Sequence, residues 1–176
     1  LTAMSRWKAS GIHLVLSAAI ALIAVLVMLR LWYPMPYFQA VGGRDLLLIM
    51  VAVDVVIGPL LTLVVFDRNK KPLKELRRDL AVIAALQLAA LGYGVHTVFE
   101  ARPVFTVFAV DRFEVVTANE IEPELLAKAK RPEFSTLSMA GPALVAADTP
   151  DDAKERGRLI FAASEGVDVK HFPEYY

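Results

Sequence analysis

Cysteine is absent from the 176 residues, which excludes disulfides, thiol redox chemistry and cysteine-ligated metal sites. Histidine is scarce: His13, His96 and His171 are scattered, and the first two fall at opposite ends of the apolar region. No shared metal site is expected from them. Net charge is zero, so no global field draws the chain to nucleic acid. There is no glycine-rich phosphate loop and no Ser/His/Asp arrangement, and these absences predict neither enzyme activity nor a bound cofactor. The most informative shortage is of charge within long stretches. Gly11 to Leu29 carries none, Leu80 to Phe99 carries none, and Leu46 to Phe66 carries only Asp54.

These runs have 19, 20 and 21 residues, and together they lift the mean hydropathy to +0.49. A bilayer core about 30 Å thick needs roughly 20 helical residues, so each run is long enough to span. The first is too long for a signal-peptide core, and it ends in Arg30, Trp32, Tyr33 and Pro34 rather than a small-residue cleavage site. Trp32, Tyr33 and Tyr37 fit an interfacial aromatic belt. Asp67 to Arg78 holds six basic residues, among them Lys70, Lys71, Arg77 and Arg78, while Tyr33 to Arg44 holds one. With Arg6 and Lys8 before the first run, this bias places the N-terminus and the basic stretch in the cytoplasm. Residues after Phe99 then lie outside.

The expected fold class is membrane α-helical, with three transmembrane helices and a cytoplasmic N-terminus, followed by a small α/β extracytoplasmic domain. Residues 1–100 form the helical domain, with spans about 11–32, 45–66 and 79–99. Residues 101–176 form a small α+β domain with nine basic and thirteen acidic residues. A hairpin is expected from Val104–Val110 and Phe113–Thr117 around Asp111-Arg112. A short helix is expected over Pro123–Lys130, a third strand over Ala143–Ala147, and a second helix capped by Thr149 and stopped at Gly166. The aromatic ending Phe172–Tyr176 reads as lacking a closing element. The domain is therefore expected either to continue past the given sequence or to complete its core against a partner. Leu1–Ala3, ahead of Met4, read as an alternative start or a remnant.

Asp54 is the most informative single residue, because a carboxylate near the middle of a span costs roughly 2.5–3.5 kcal/mol. Gly58 and Pro59 follow it, and Pro59 deprives the Val55 carbonyl of its helical donor, so a kink is expected. Two readings stand: an internal clamp between Asp54 and Gln87 or the backbone, or a docking point for a polar group on another helix. No second acid matches its depth, which removes a paired-carboxylate protease. The third run carries a small-residue ladder, Ala81, Ala85 and Ala89, with Ala90 and Gly94. That ladder suits close helix packing, either on Ser17, Ala21 and Ala24 of the first helix or on a foreign helix.

Several local strings complete the picture: Trp32-Tyr33-Pro34, Asp54-Val55-Val56-Ile57-Gly58-Pro59-Leu60-Leu61-Thr62, Gln87-Leu88-Ala89-Ala90-Leu91, Ala101-Arg102-Pro103-Val104 and Asp111-Arg112-Phe113-Glu114. Together they resemble the TfpX/TfpZ-type type IV pilin accessory proteins, small inner-membrane proteins of Gram-negative bacteria. The resemblance is dense from Met4 to about Ile121. It implies a multi-pass inner-membrane protein with a periplasmic C-terminal domain and a chaperone-like part in pilus assembly. The implied partner is a type IV major pilin, met through its transmembrane helix and its head, besides the lipid bilayer and other pilus-assembly membrane proteins. On that reading Asp54, Gly58, Pro59, Gln87, Ala85 and Ala89 are the candidate partner-binding residues, and no catalytic residue is implied. A membrane sensor, or a subunit of another membrane complex with an extracytoplasmic ligand-binding domain, is the alternative.

Overall fold

The computed structural model describes residues 5–67 and 70–176. Leu1–Ala3, and Arg68 and Asn69 of the basic stretch, lie outside the described residues. The chain divides into two compact units, Leu1–Met28 with Gly42–Val98, and Leu29–Val41 with Phe99–Tyr176.

In the first unit, helix α1 (Arg6–Val27) begins where the Ser5 hydroxyl accepts from the Lys8 amide at 3.3 Å. It runs on into a π-helical turn, Met28–Trp32. After a four-residue helix α2 (Tyr37–Ala40), Gly42 takes a left-handed φ of 68° and opens α3 (Gly43–Ala52). A second π turn, Val53–Ile57, joins α3 to α4 (Gly58–Val65). Helix α5 (Leu73–Glu100) has 28 residues. Arg6–Trp32, Gly43–Val65 and Leu73–Glu100 are each long and apolar enough to cross a membrane. Lys74, Arg77 and Arg78, expected in a loop, instead form the opening turns of α5 behind Pro72, which suits a helix start. A hydropathy reading registers only the apolar part of such a helix.

Helix α1 packs on α4 and on the π turn before it. Its buried residues Ala9, Ser17 and Ala21 recur at multiples of four, one stripe on one face. They meet a low-profile surface, since the buried residues of α4 are Gly58, Pro59 and Thr62. The small-residue face of α1 is thus spent on α4. Ala81, Ala85 and Ala89 of α5 stay exposed, so their expected packing on α1 does not occur. Helix α5 buries Leu76, Ile83 and Val98 instead, and Leu76 joins Ala9 and Phe66 in a small apolar cluster.

In the second unit, β1 (Pro103–Ala109) is central, with β2 (Arg112–Thr117) antiparallel and β3 (Ala143–Ala147) parallel to it. The turn falls at Val110-Asp111, one residue before the expected pair, with Val110 at a φ of 60°. The connection to β3 carries α6 (Pro123–Leu126), shorter than expected. Helix α7 (Ala153–Ser164) is capped not by Thr149 but by Asp152, whose carboxylate accepts from the Glu155 amide at 2.9 Å. Gly166 ends it with a φ of 93°, as expected.

Phe172–Tyr176, read above as lacking a closing element, packs into the core. The Tyr176 ring meets Phe105 at 5.1 Å and Phe134 at 5.9 Å edge-on, and its hydroxyl donates to the Lys170 carbonyl. Burial drives the Tyr176 phenol well above its usual range. The Asp148 amide, just past β3, donates to the Tyr175 carbonyl at 2.9 Å. Residues 29–41 belong to this unit through Trp32, edge-on to Phe99 at 5.1 Å, and Tyr33, which is fully buried. Burial pushes the Tyr33 phenol up to about 12, against the opposing pull of Arg102. The Arg102 guanidinium lies over the Phe99 ring at 3.7 Å and donates to the carbonyls of Phe99 (2.7 Å) and Ser138 (3.1 Å).

Candidate partner-docking groove

The π turn Val53–Ile57 explains how the helical unit places Asp54. In a π turn each amide reaches the carbonyl five residues back, so the main-chain donor for Asp54 would be Pro59, which has no amide hydrogen. Gln87 Nε2 of α5 donates to that carbonyl at 3.0 Å. The orphan expected at Val55 on an unbroken helix is shifted by the wide turn to Asp54. Gly58 makes the reach possible, because a Cβ there would fall inside the Gln87 carboxamide.

Asp54 and Gln87 are therefore joined, but through the Asp54 backbone. Asp54 is 6% exposed, and its Oδ1 has no hydrogen-bond partner among the described residues. It opens on a cavity of about 420 Å³ between α1 and α5. The walls are mostly apolar, with Ile12, Leu16 and Ile20 on α1 facing Leu80, Leu88 and Leu91 on α5. His13, Ser17, Thr62, Asp54 and Gln87 supply its polar groups. Among the described residues, no lysine or arginine lines it.

Two further bonds fasten α1 to α4. The Ser10 hydroxyl donates to the Pro59 carbonyl at 2.8 Å, and the His13 ring bonds the Thr62 hydroxyl. His13 is thus a helix-pairing residue. The sequence held a signal for this: Ser10, His13 and Ser17 at spacings of three and four on an otherwise apolar helix.

The remaining candidates divide clearly. Asp54 and Gln87 line the groove, Gly58 lies against Gln87 and Pro59 accepts from Ser10, whereas Ala85 and Ala89 lie exposed on α5. Arg6 pairs with Asp67 at 3.4 Å, and Lys70 lies 4.0 Å from the same carboxylate. Lys71 bonds Asp79 at 2.7 Å, with Arg78 beside it at 3.9 Å. Lys8 and Arg77 are exposed.

The class these features define is a protein of three bilayer-length helices and a small α/β unit, with an open, polar-floored groove in the helical part. A family profile described as Fimbrial assembly protein FimB matches residues 2–42. The fimbrial assembly protein of Dichelobacter nodosus serogroup I is 35% identical over 94% of this chain and 64% of its own length. The serogroup E1 protein is 34% identical over the same shares. The protein of serogroups C1 and C2 is 36% identical over 65% of this chain and 86% of its own length. The chain belongs to the family of fimbrial assembly proteins. It spans about 64% of the length of the serogroup I and E1 relatives. No solved structure matches it.

Proposed function

We propose that this chain is an inner-membrane accessory protein of the TfpX/TfpZ kind that binds a type IV major pilin and supports its assembly into pili. It acts as a holder, without catalysis. The N-terminus and the basic stretch lie in the cytoplasm and the C-terminal unit in the periplasm, in keeping with the positive-inside bias. A subunit waiting for assembly is a membrane helix carrying a soluble head, and a holder needs a place for that helix. The groove between α1 and α5 supports this reading most directly: Gln87 ties α5 to the π turn at Asp54, and an apolar trough the length of several turns lies between α5 and α1. The relatives' role in fimbrial assembly supports it independently.

The test is affinity purification of the full chain from pilus-bearing cells in mild detergent, with the major pilin quantified in the eluate. Stoichiometric pilin, and loss of surface pili when the chain is deleted, are the expected results. Absence of pilin from the eluate together with normal piliation would refute the proposal.

A further inference from the structure

The Asp54 carboxyl has a more specific part to play, and this step rests on the pilin-holding reading above. The two ways in which a buried polar group is normally settled are both open to inspection here. The Asp54 carbonyl, orphaned by Pro59, is satisfied from within by Gln87. The Asp54 Oδ1, in a residue more than nine-tenths buried, has no partner among the described residues, and Asp54 lines the groove. An unmet acceptor at that burial costs about 1–3 kcal/mol, and the cost is recovered when an occupant supplies a donor.

We infer that the Asp54 carboxyl sets the register of one docked transmembrane helix by accepting a hydrogen bond from a neutral donor on that helix, a hydroxyl or a carboxamide. Three features select this occupant. The lining runs from Ala9 to Ile20 on α1 and from Leu80 to Leu91 on α5, about 16 Å or three helical turns at 1.5 Å per residue. Ala84 in the wall leaves room for a backbone to come close, which favours small residues on the facing helix. A lipid chain fits the trough as well, yet it offers no donor to the carboxyl. The donor is neutral because, among the described residues, the groove holds no other charged side chain to help carry an ammonium or guanidinium out of water. Gln87 and Gly58 act through Asp54. By meeting its carbonyl they fix the turn that aims the carboxyl into the groove.

The experiment places a photocrosslinking residue at Leu16 or Leu88, in the groove, and at Leu22 or Tyr93 outside its lining. The full chain is co-expressed with the full-length major pilin. Expected are pilin-helix adducts from Leu16 and Leu88 only, at least tenfold fewer with Asp54→Leu, and near wild-type yield with Asp54→Asn, which keeps an acceptor oxygen without charge. If Asp54→Leu fails to accumulate in the membrane, Asp54→Ala serves in its place.

Unchanged groove adducts in the apolar variant would overturn the register role and leave the holding reading standing. Equal loss in Asp54→Asn would overturn the neutral donor. Groove adducts confined to lipid, or to a second copy of this chain, would overturn the inference and the groove as the pilin's seat together.

Discussion

The two units bury opposite kinds of side chain. In the C-terminal unit the interior is aromatic and branched, with Phe105, Val107, Val116, Phe172, Tyr175 and Tyr176 drawn around a three-stranded sheet. In the helical unit Val15, Leu22, Ile23, Leu60, Val64 and Leu86 are exposed, and the interior is small or polar: Ala9, Ser17, Ala21, Asp54, Gly58 and Thr62. A surface of that kind in water would be a large apolar liability. In lipid it costs nothing, and helix association must come from close packing and hydrogen bonds. The bonds of Ser10, His13 and Gln87 are therefore expected to matter where large apolar side chains do not.

The largest effect that sharpens this contrast is expected in the C-terminal unit. Phe105 is 1% exposed and faces both Phe134 and Tyr176. Phe105→Ala is expected to cost about 3–5 kcal/mol, read as lost hydrogen-exchange protection in β1, β2 and β3 with α1 and α4 unchanged. Protection lost equally in the helices would break the contrast. Next is Gly58→Ala, which must displace Gln87 and strand the Asp54 carbonyl, for about 1–2 kcal/mol of helical-unit stability in detergent. Adding Gln87→Ala should then cost little more, because the two changes remove one bond.

A smaller effect depends on pH. Burial holds the His171 pKa below 6.5, and the Asp168 amide donates to its Nδ1 at 3.0 Å. Lys170 adds to the lowering, while Glu120 and Asp168 oppose it. The unfolded chain therefore takes up the proton first, so stability is full above pH 6.5 and declines as pH falls below it. Aromatic circular dichroism of the C-terminal unit should melt earlier at pH 5 than at pH 7.5. His171→Gln should flatten that dependence.

How much of this could be read in advance follows the same division. Long uncharged runs marked the three apolar helices, because length and lack of charge are properties of the local sequence. Their ends were missed where charge is helical, as at Lys74–Arg78. The π turn was foreshadowed by Gly58-Pro59, but its displacement of the orphan carbonyl by one residue depends on register, which composition does not carry. The same holds for Gln87, paired with Asp54 as one reading expected yet bonded to the backbone. In the C-terminal unit β3 was read at its observed bounds. The hairpin turn was misplaced because Val110, a β-branched residue, occupies a left-handed position that the sequence argued against. The packing of Phe172–Tyr176 was not legible because it uses contacts with Phe105 and Phe134, distant in the chain.

The account rests on the helical unit being in lipid with the C-terminal unit on the far side. The lack of cysteine makes this directly measurable, since any single cysteine introduced is the sole thiol. Asp111→Cys and Lys70→Cys, each in the full chain, are to be treated with a membrane-impermeant maleimide in spheroplasts and again after the membrane is opened. The expected result is labelling of residue 111 in intact spheroplasts and of residue 70 only after opening. Labelling of both before opening, or of residue 70 alone, would contradict the account.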